Sequence, residues 1–204
     1  MVNLLKRMRK LNTRLLNIRI GTGAAILPSI STSLKDQPAV TRIHLTYAQY
    51  IKGGHMGARQ FWRRCLPRLK YHNPAIQMSV KQTDEQDGPA ALTIFFSGAP
   101  KSNKHHDSSI QDKYAPTPAE GEKAIVIDTK NYDYKQIWQK VQEATGAQEI
   151  PPTAEEVQQL AEFKEMAIKS EHDRVRIAAM RQAKKDQERM LQEARGEVEK
   201  LRQL

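Results

Sequence analysis

The sequence predicts an α/β protein: a small mixed sheet with packing helices, preceded by a basic N-terminal arm and followed by a long charged helix. Three observations lead there. Between residues 40 and 145, stretches of period-two apolar alternation are interleaved with stretches of helical periodicity. Residues 1–83 carry 15 Lys/Arg against one acid, Asp36, so the positive charge is concentrated at one end. Beyond Pro151-Pro152 no Pro occurs, and no Gly before Gly196, so a helix can run unbroken. The 204 residues suffice for one ordinary domain with extensions.

Taking the elements in order, Leu4, Met8, Leu11, Leu15 and Ile18 recur at helical spacing in an acid-free segment, with Lys and Arg around the other faces. This is the character of a mitochondrial targeting segment and equally of a basic arm that folds against RNA; both readings stay open. "GTGAAILPSISTSLKDQP" (21–38) reads as a linker. "VTRIHLTY" (40–47) alternates, placing Ile43, Leu45 and Tyr47 on one face of a strand. After Gly53-Gly54 a helix starts near Met56. Its apolar stripe is Ala58, Phe61, Trp62, Cys65 and Leu69, and Pro67 ends or bends it near Leu66. "AIQMSVKQ" (75–82) is a second strand, parallel to the first because a helix joins them. "AALTIFF" (90–96) and "KAIVIDT" (123–129) are antiparallel neighbours on either side of a Pro/Ser/Lys/His-rich stretch, 97–122, that reads as a mobile insertion. A helix with Tyr134, Ile137, Trp138 and Val141 on one face closes at Gly146. The order β-α-β-β-β-α describes a small sandwich near the thioredoxin fold.

Domain boundaries follow: a basic extension over 1–36, a thioredoxin-like domain over 37–150 with its 97–122 insertion, and a charged helix over 151–204. That helix begins at Thr153 with Glu156 three residues on, the pattern of a capping box. Its apolar residues are sparse, so it extends outward and docks on an unidentified protein or RNA neighbour.

Composition excludes several function classes. Cys65 is the only cysteine, so there is no CxxC pair and no intramolecular disulfide. It falls two turns into its helix on the apolar stripe, away from the N-terminal turn where a reactive thiolate is stabilised, and reads as structural. Gly53-Gly54-His55-Met56-Gly57 lacks the Lys-Ser/Thr of a Walker loop, and its spacing is not GxGxxG; the glycines read as a tight turn and a close approach. His105-His106-Asp107 has no further ligand at a recognised spacing, so no metal is expected. No cofactor, catalytic set or membrane span is signalled.

The cations remain. Lys6, Arg7, Arg9, Lys10, Arg14 and Arg19 belong to the arm; Lys52 and His55 stand at the start of the central helix; Arg59, Arg63, Arg64, Arg68 and Lys70 flank its stripe. Almost no acid lies nearby to neutralise them, so a bound polyanion, RNA, is the expected partner.

"GGHMGARQFWRRCLPRLKYHNPAIQMSV" carries a resemblance. Gly54-His55-Met56-Gly57-Ala58-Arg59, Phe61-Trp62, Leu66-Pro67, Leu69, Tyr71 and Asn73-Pro74 resemble a fungal mitochondrial ribosomal protein of the large subunit. It belongs to a thioredoxin-like family that also includes small-subunit ribosomal proteins and an accessory subunit of respiratory complex I. "GPAALTIFFSG" and "AIVIDTKNYDYKQIWQKV" are similar to the later strands and closing helix. The resemblance spans about residues 38–145 and implies a non-catalytic ribosomal constituent in the mitochondrial matrix, contacting ribosomal RNA and neighbouring mitochondrial ribosomal proteins. It also implies that Pro89 sits where such folds often hold a cis proline. The alternatives are a small-subunit ribosomal protein or the complex I subunit, and from a different class a thiol oxidoreductase.

Overall fold

The computed structural model of the chain describes residues 4–29, 38–50, 52–99 and 105–202. In chain order these form α1 (Leu4–Arg19), β1 (Ala25–Ile26), β2 (Val40–Ala48), α2 (Met56–Arg64), α3 (Leu66–His72), β3 (Gln77–Thr83), β4 (Ala91–Phe96), β5 (Lys123–Asp128), α4 (Tyr134–Thr145), β6 (Gln148–Glu149) and α5 (Ala154–Arg202). They divide into two units, Met1–Pro152 and Thr153–Leu204.

The first unit is built on a four-stranded mixed sheet of order β3-β2-β4-β5. β2 and β3 are parallel, with Ile43 opposite Met78 and Leu45 opposite Val80, while β4 is antiparallel to both β2 and β5. Parallel neighbours need a crossover, which α2 and α3 supply. Strand alternation sends Ile43, Leu45, Tyr47, Leu92, Ile94, Phe96, Ile125 and Ile127 to one face, each at most 2% exposed. Against them pack Ala58, Phe61, Cys65 and Leu69 from the α2–α3 crossover and Ile137, Trp138 and Val141 from α4.

Pro67 interrupts the crossover without ending it. α2 stops at Arg64, and Pro67 occupies the first turn of α3, where a missing N–H costs no hydrogen bond. α4 starts where the Asp133 N–H donates to the Gln136 side chain and stops at Gly146, whose φ of 68° is left-handed. No peptide bond among the described residues is cis, which corrects the expectation for Pro89. Trans is the lower-energy isomer of an X-Pro bond by about 0.5–1 kcal/mol. The Lys130 ammonium also fastens the preceding turn by donating to the carbonyls of Asp87 and Gly88.

The N-terminal segment is part of this unit. The apolar stripe of α1 stays outside the core: Leu4, Met8, Leu11 and Leu15 are exposed, whereas Leu16 and Ile20 are buried. Docking is therefore confined to the last turn of the helix and the residues just beyond it. The expected linker is, over its described residues, a packed strand: β1 pairs antiparallel with β6. Asn73, just past α3, clamps it. The Asn73 side-chain oxygen accepts from the Leu27 N–H, and its amide donates to the carbonyls of Ala25 and Leu69, all at 2.8 Å. The rest of that linker, 30–37, lies outside the described residues.

The 97–122 insertion also differs from expectation. Residues 100–104 lie outside the described residues, but 105–122 are tied to the free edge of β5 and to the second face of the sheet. Asp107 N–H donates to the Val126 carbonyl, and Val126 N–H donates back to His106. The Asp112 carboxylate accepts from Thr46 and Thr93 on adjacent strands. The Glu122 carboxylate accepts from the Ala119 N–H, Thr41 hydroxyl and Arg42 guanidinium. A polar sheet face is matched by a polar cover, which composition alone reads as loop.

Those three donors, the Ala119 N–H first, hold the Glu122 carboxyl pKa at about 2. A carboxyl depressed on folding stabilises the fold fully above its unfolded pKa and loses that contribution as pH falls from about 4.5 towards 2. Glu122→Gln is therefore expected to melt below wild type at pH 7. The gap should close near pH 2; a gap constant from pH 7 to 2 would contradict the assignment.

The second unit is a single helix. The Thr153 N–H donates to Glu156 and the Glu156 N–H to the Thr153 hydroxyl, closing a capping box. At 1.5 Å per residue, 49 residues make a rod of about 74 Å. Glu165–Lys169, Glu171–Arg174 and Asp186–Arg189 pair along it.

Candidate nucleic-acid interface

The glycines before α2 are explained by close approach. A Cβ on Gly57 would lie 1.6 Å from the Tyr132 carbonyl oxygen, and one on Gly54 would lie 2.1 Å from Asn131 Oδ1. Gly54 also has φ +89°, and Asn131 N–H donates to its carbonyl. The turn after β5 thus seats directly on the start of α2, where a phosphate would otherwise have to sit. Gly23 does the same against the Cys65 backbone, 2.8 Å from a would-be Cβ.

Cys65 is fully buried, and burial pushes its thiol up to about 12 despite the nearby Arg68 and Arg64 guanidinium groups. A thiol held protonated at neutral pH is a poor nucleophile. We expect no reaction of the native protein with a chromogenic disulfide at pH 8, and full reaction after denaturation; rapid native labelling would refute burial. His105 meets Glu143 at 2.7 Å, and among the described residues no group of three His, Cys, Asp or Glu is placed to hold a metal. No helix among them is long and apolar enough to cross a membrane.

The cations separate into two sets. Lys6, Arg7, Arg9, Lys10, Arg14 and Arg19 of α1 are exposed, as are Lys52, Arg63 and Arg64, and Arg59 is half-buried. Arg64 lies over the Tyr134 ring at 4.9 Å. None of the ion pairs among the described residues takes a cation from α1, α2 or α3.

His55, Arg68 and Lys70 belong to the second set, hydrogen-bonded to the fold's own backbone, although Lys70 is itself exposed. His55 is 1% exposed; its Nδ1 accepts from the Ala48 N–H and its Nε2–H donates to the Gln86 carbonyl. It presents nothing outward, and both ring nitrogens serve the β2–α2 turn. Lys70 donates to the carbonyls of Pro74 and Ile76. Arg68 reaches under Gly21 to donate to the carbonyls of Asn17 and Thr22, at 2.7 and 2.9 Å. His72, outside the expected set, donates to the Arg19 carbonyl at 2.8 Å. Together Arg68 and His72 satisfy two of the open C-terminal carbonyls of α1, those of Asn17 and Arg19, and fasten its basic residues to the body that carries Arg59, Arg63 and Arg64. Asn73 and His72 left no sequence signal beyond Asn-Pro after a helix, because their partners lie about fifty residues upstream.

Hydrogen bonds from a charged donor contribute about 1.5–3 kcal/mol in total at such a site. Arg68→Ala is therefore expected to lower stability by that order and to speed amide exchange across α1. An unchanged melting temperature with unchanged exchange would refute the clamp.

Comparison with known proteins adds to this geometry. Residues 58–133 match the family described as "Mitochondrial ribosomal protein L51 / S25 / CI-B8 domain". The chain is 39% identical, over 99% of its own length and 98% of the relative's, to the large ribosomal subunit protein mL61 of Neurospora crassa. It is 36% identical to the mL61 protein of Saccharomyces cerevisiae over a shorter stretch, 30% of this chain and 42% of that one.

Proposed function

Because the chain belongs to the family of large ribosomal subunit protein mL61, we propose that it works by binding charge to charge inside the particle, without catalysis. It is a structural constituent of the large subunit of the mitochondrial ribosome, in the matrix. Its partners are ribosomal RNA and neighbouring ribosomal proteins. On this reading Lys6, Arg7, Arg9, Lys10, Arg14, Arg19, Lys52, Arg59, Arg63 and Arg64 face phosphates. His55 and Arg68 shape the surface from within, and Lys70 lies on it, held by the Pro74 and Ile76 carbonyls. What supports this most is that a cluster of exposed cations on α1 and α2 has no acid paired to it. Unneutralised charge of one sign destabilises a compact body by self-repulsion, and a polyanion removes the penalty.

The long α5 has exposed Leu191, Val198 and Leu201 at spacings of seven and three, a narrow stripe suited to one neighbouring helix or groove. The test is sedimentation of tagged chain in mitochondrial lysate. At high magnesium it should run with assembled ribosomes, and at low magnesium with the large subunit alone. Migration with the small subunit or with NADH dehydrogenase activity would refute the reading.

A further inference from the structure

None of the described residues of α5 is buried, yet its apolar side chains are ordered along it. At alternating steps of three and four, a seven-residue repeat runs from Phe163 to Leu201. Apolar pairs Phe163/Met166, Ile177/Met180 and Leu191/Ala194 alternate in it with polar pairs at 170/173 and 184/187. Met166 and Ile177 are 37% and 38% exposed, Met180 and Leu191 58% and 60%. The period selects the shape of the occupant. On a straight helix such a repeat drifts by about 20° per heptad. A flat surface or a nucleic-acid duplex meets the row over a short length only, whereas a second helix coiling about it left-handedly meets all of it.

The charges select its chemistry. From Ala167 to Ala183 the charged positions that flank the seam are all cations: Lys169, Arg174, Arg176 and Arg181. Arg181 has no ion pair among the described residues. The other three pair with Glu165, Glu171 and Asp173 of their own helix, as exposed ion pairs that contribute little and yield to a partner's carboxylates. A second copy of the chain is unsuited, because in either direction it brings the same cations against these. RNA is unsuited as well. Acids and bases of α5 balance at eleven each, and phosphates on the cations would leave the seam in water. We propose that the seam of α5 forms a two-stranded coiled coil with a helix of a neighbouring large-subunit protein, whose own apolar seam is flanked by Asp or Glu.

This rests on the ribosomal reading above, and it gives α5 a protein partner where α1 and α2 meet RNA. The experiment places the photo-crosslinker p-benzoylphenylalanine at Met180, on the seam, or at Ile168, on the opposite side, in the full-length chain assembled in mitochondria. Large subunits are purified, irradiated and digested, and the adducts are sequenced by mass spectrometry. Met180 is expected to link to one peptide of another protein, with apolar residues repeating every seven and Asp or Glu beside them. Ile168 is expected to give less of that adduct by about tenfold or more.

Lys169→Glu, Arg174→Glu, Arg176→Glu and Arg181→Glu together should cut the Met180 adduct about tenfold or more, while the chain stays in the particle through its α1 and α2 cations. Glutamate at Lys164, Lys185, Arg189 and Lys200, which lie off the seam, should leave the adduct unchanged. Equal loss from both sets overturns the proposal. So does an adduct to RNA, to a second copy of this chain or to a peptide without the repeat and its acids, and so does no adduct at all. Those outcomes leave the ribosomal reading standing, whereas a chain absent from the large subunit ends both.

Discussion

Gly57→Ala is expected to lower stability by about 4 kcal/mol or more, the upper end for a single substitution. The added methyl would sit 1.6 Å from the Tyr132 carbonyl oxygen and 2.8 Å from its carbon, well inside contact distance. The carbonyl cannot withdraw cheaply. Thr129 N–H is bonded to the Ala90 carbonyl, Asn131 N–H to the Gly54 carbonyl, and Lys130 N–H to the Asp128 side chain. α2 cannot withdraw either, because Ala58 and Phe61 are buried one residue and one turn further on. The helix and the turn would have to part. Gly196→Ala is the control: nothing lies within 4 Å of its would-be Cβ, and alanine in a helix interior gains about 1 kcal/mol over glycine. Urea denaturation of both variants against wild type decides it. A loss under about 1 kcal/mol at Gly57 would mean that the approach of α2 to the turn is not the constraint described.

The second large effect concerns binding. Exchanging Lys6, Arg7, Lys10, Arg14, Arg59 and Arg63 for glutamine should leave melting unchanged or slightly raised, because no internal ion pair is lost and like-charge repulsion is relieved. Attachment to the large subunit should suffer heavily. Each phosphate contact contributes about 0.7–0.9 to the slope of log affinity against log salt, so six lost contacts flatten it by roughly 4–5. In a potassium chloride wash series, the variant should leave the particle at far lower salt than wild type. An identical release profile would show that these cations face water. Arg68 is excluded from the set on purpose, since its loss acts through the fold and would confuse the two readouts.

Much of the framework is legible along the chain. The alternation in Val40–Ala48 and Ala91–Phe96, the stripe Ala58–Phe61–Cys65–Leu69 and the stop at Gly146 each depend on local periodicity or local sterics. Such patterns state which side chains share a face. They do not state what lies opposite. Hence the spacing of Leu4–Ile18 marks α1 as amphipathic but does not say which residues touch the body; Leu16 and Ile20 do. The same limit applies to the cations. Charge and spacing place His55, Arg68 and Lys70 beside Arg59 and Arg63 in one basic surface, yet the first three have carbonyl partners within reach.

From residue order alone come the α/β class, the parallel β2–β3 pair, the continuous helix from Ala154 and the one-sided charge, since each is encoded within a few turns of chain. Tertiary structure alone decides that Asn73 clamps β1, that Asp112 and Glu122 roof the second face, and which cations stay free. A donor's use is fixed by whichever carbonyl or carboxylate the fold delivers to it. For Leu27, Thr46 and Arg42 that acceptor lies forty to eighty residues away, where no periodicity reaches.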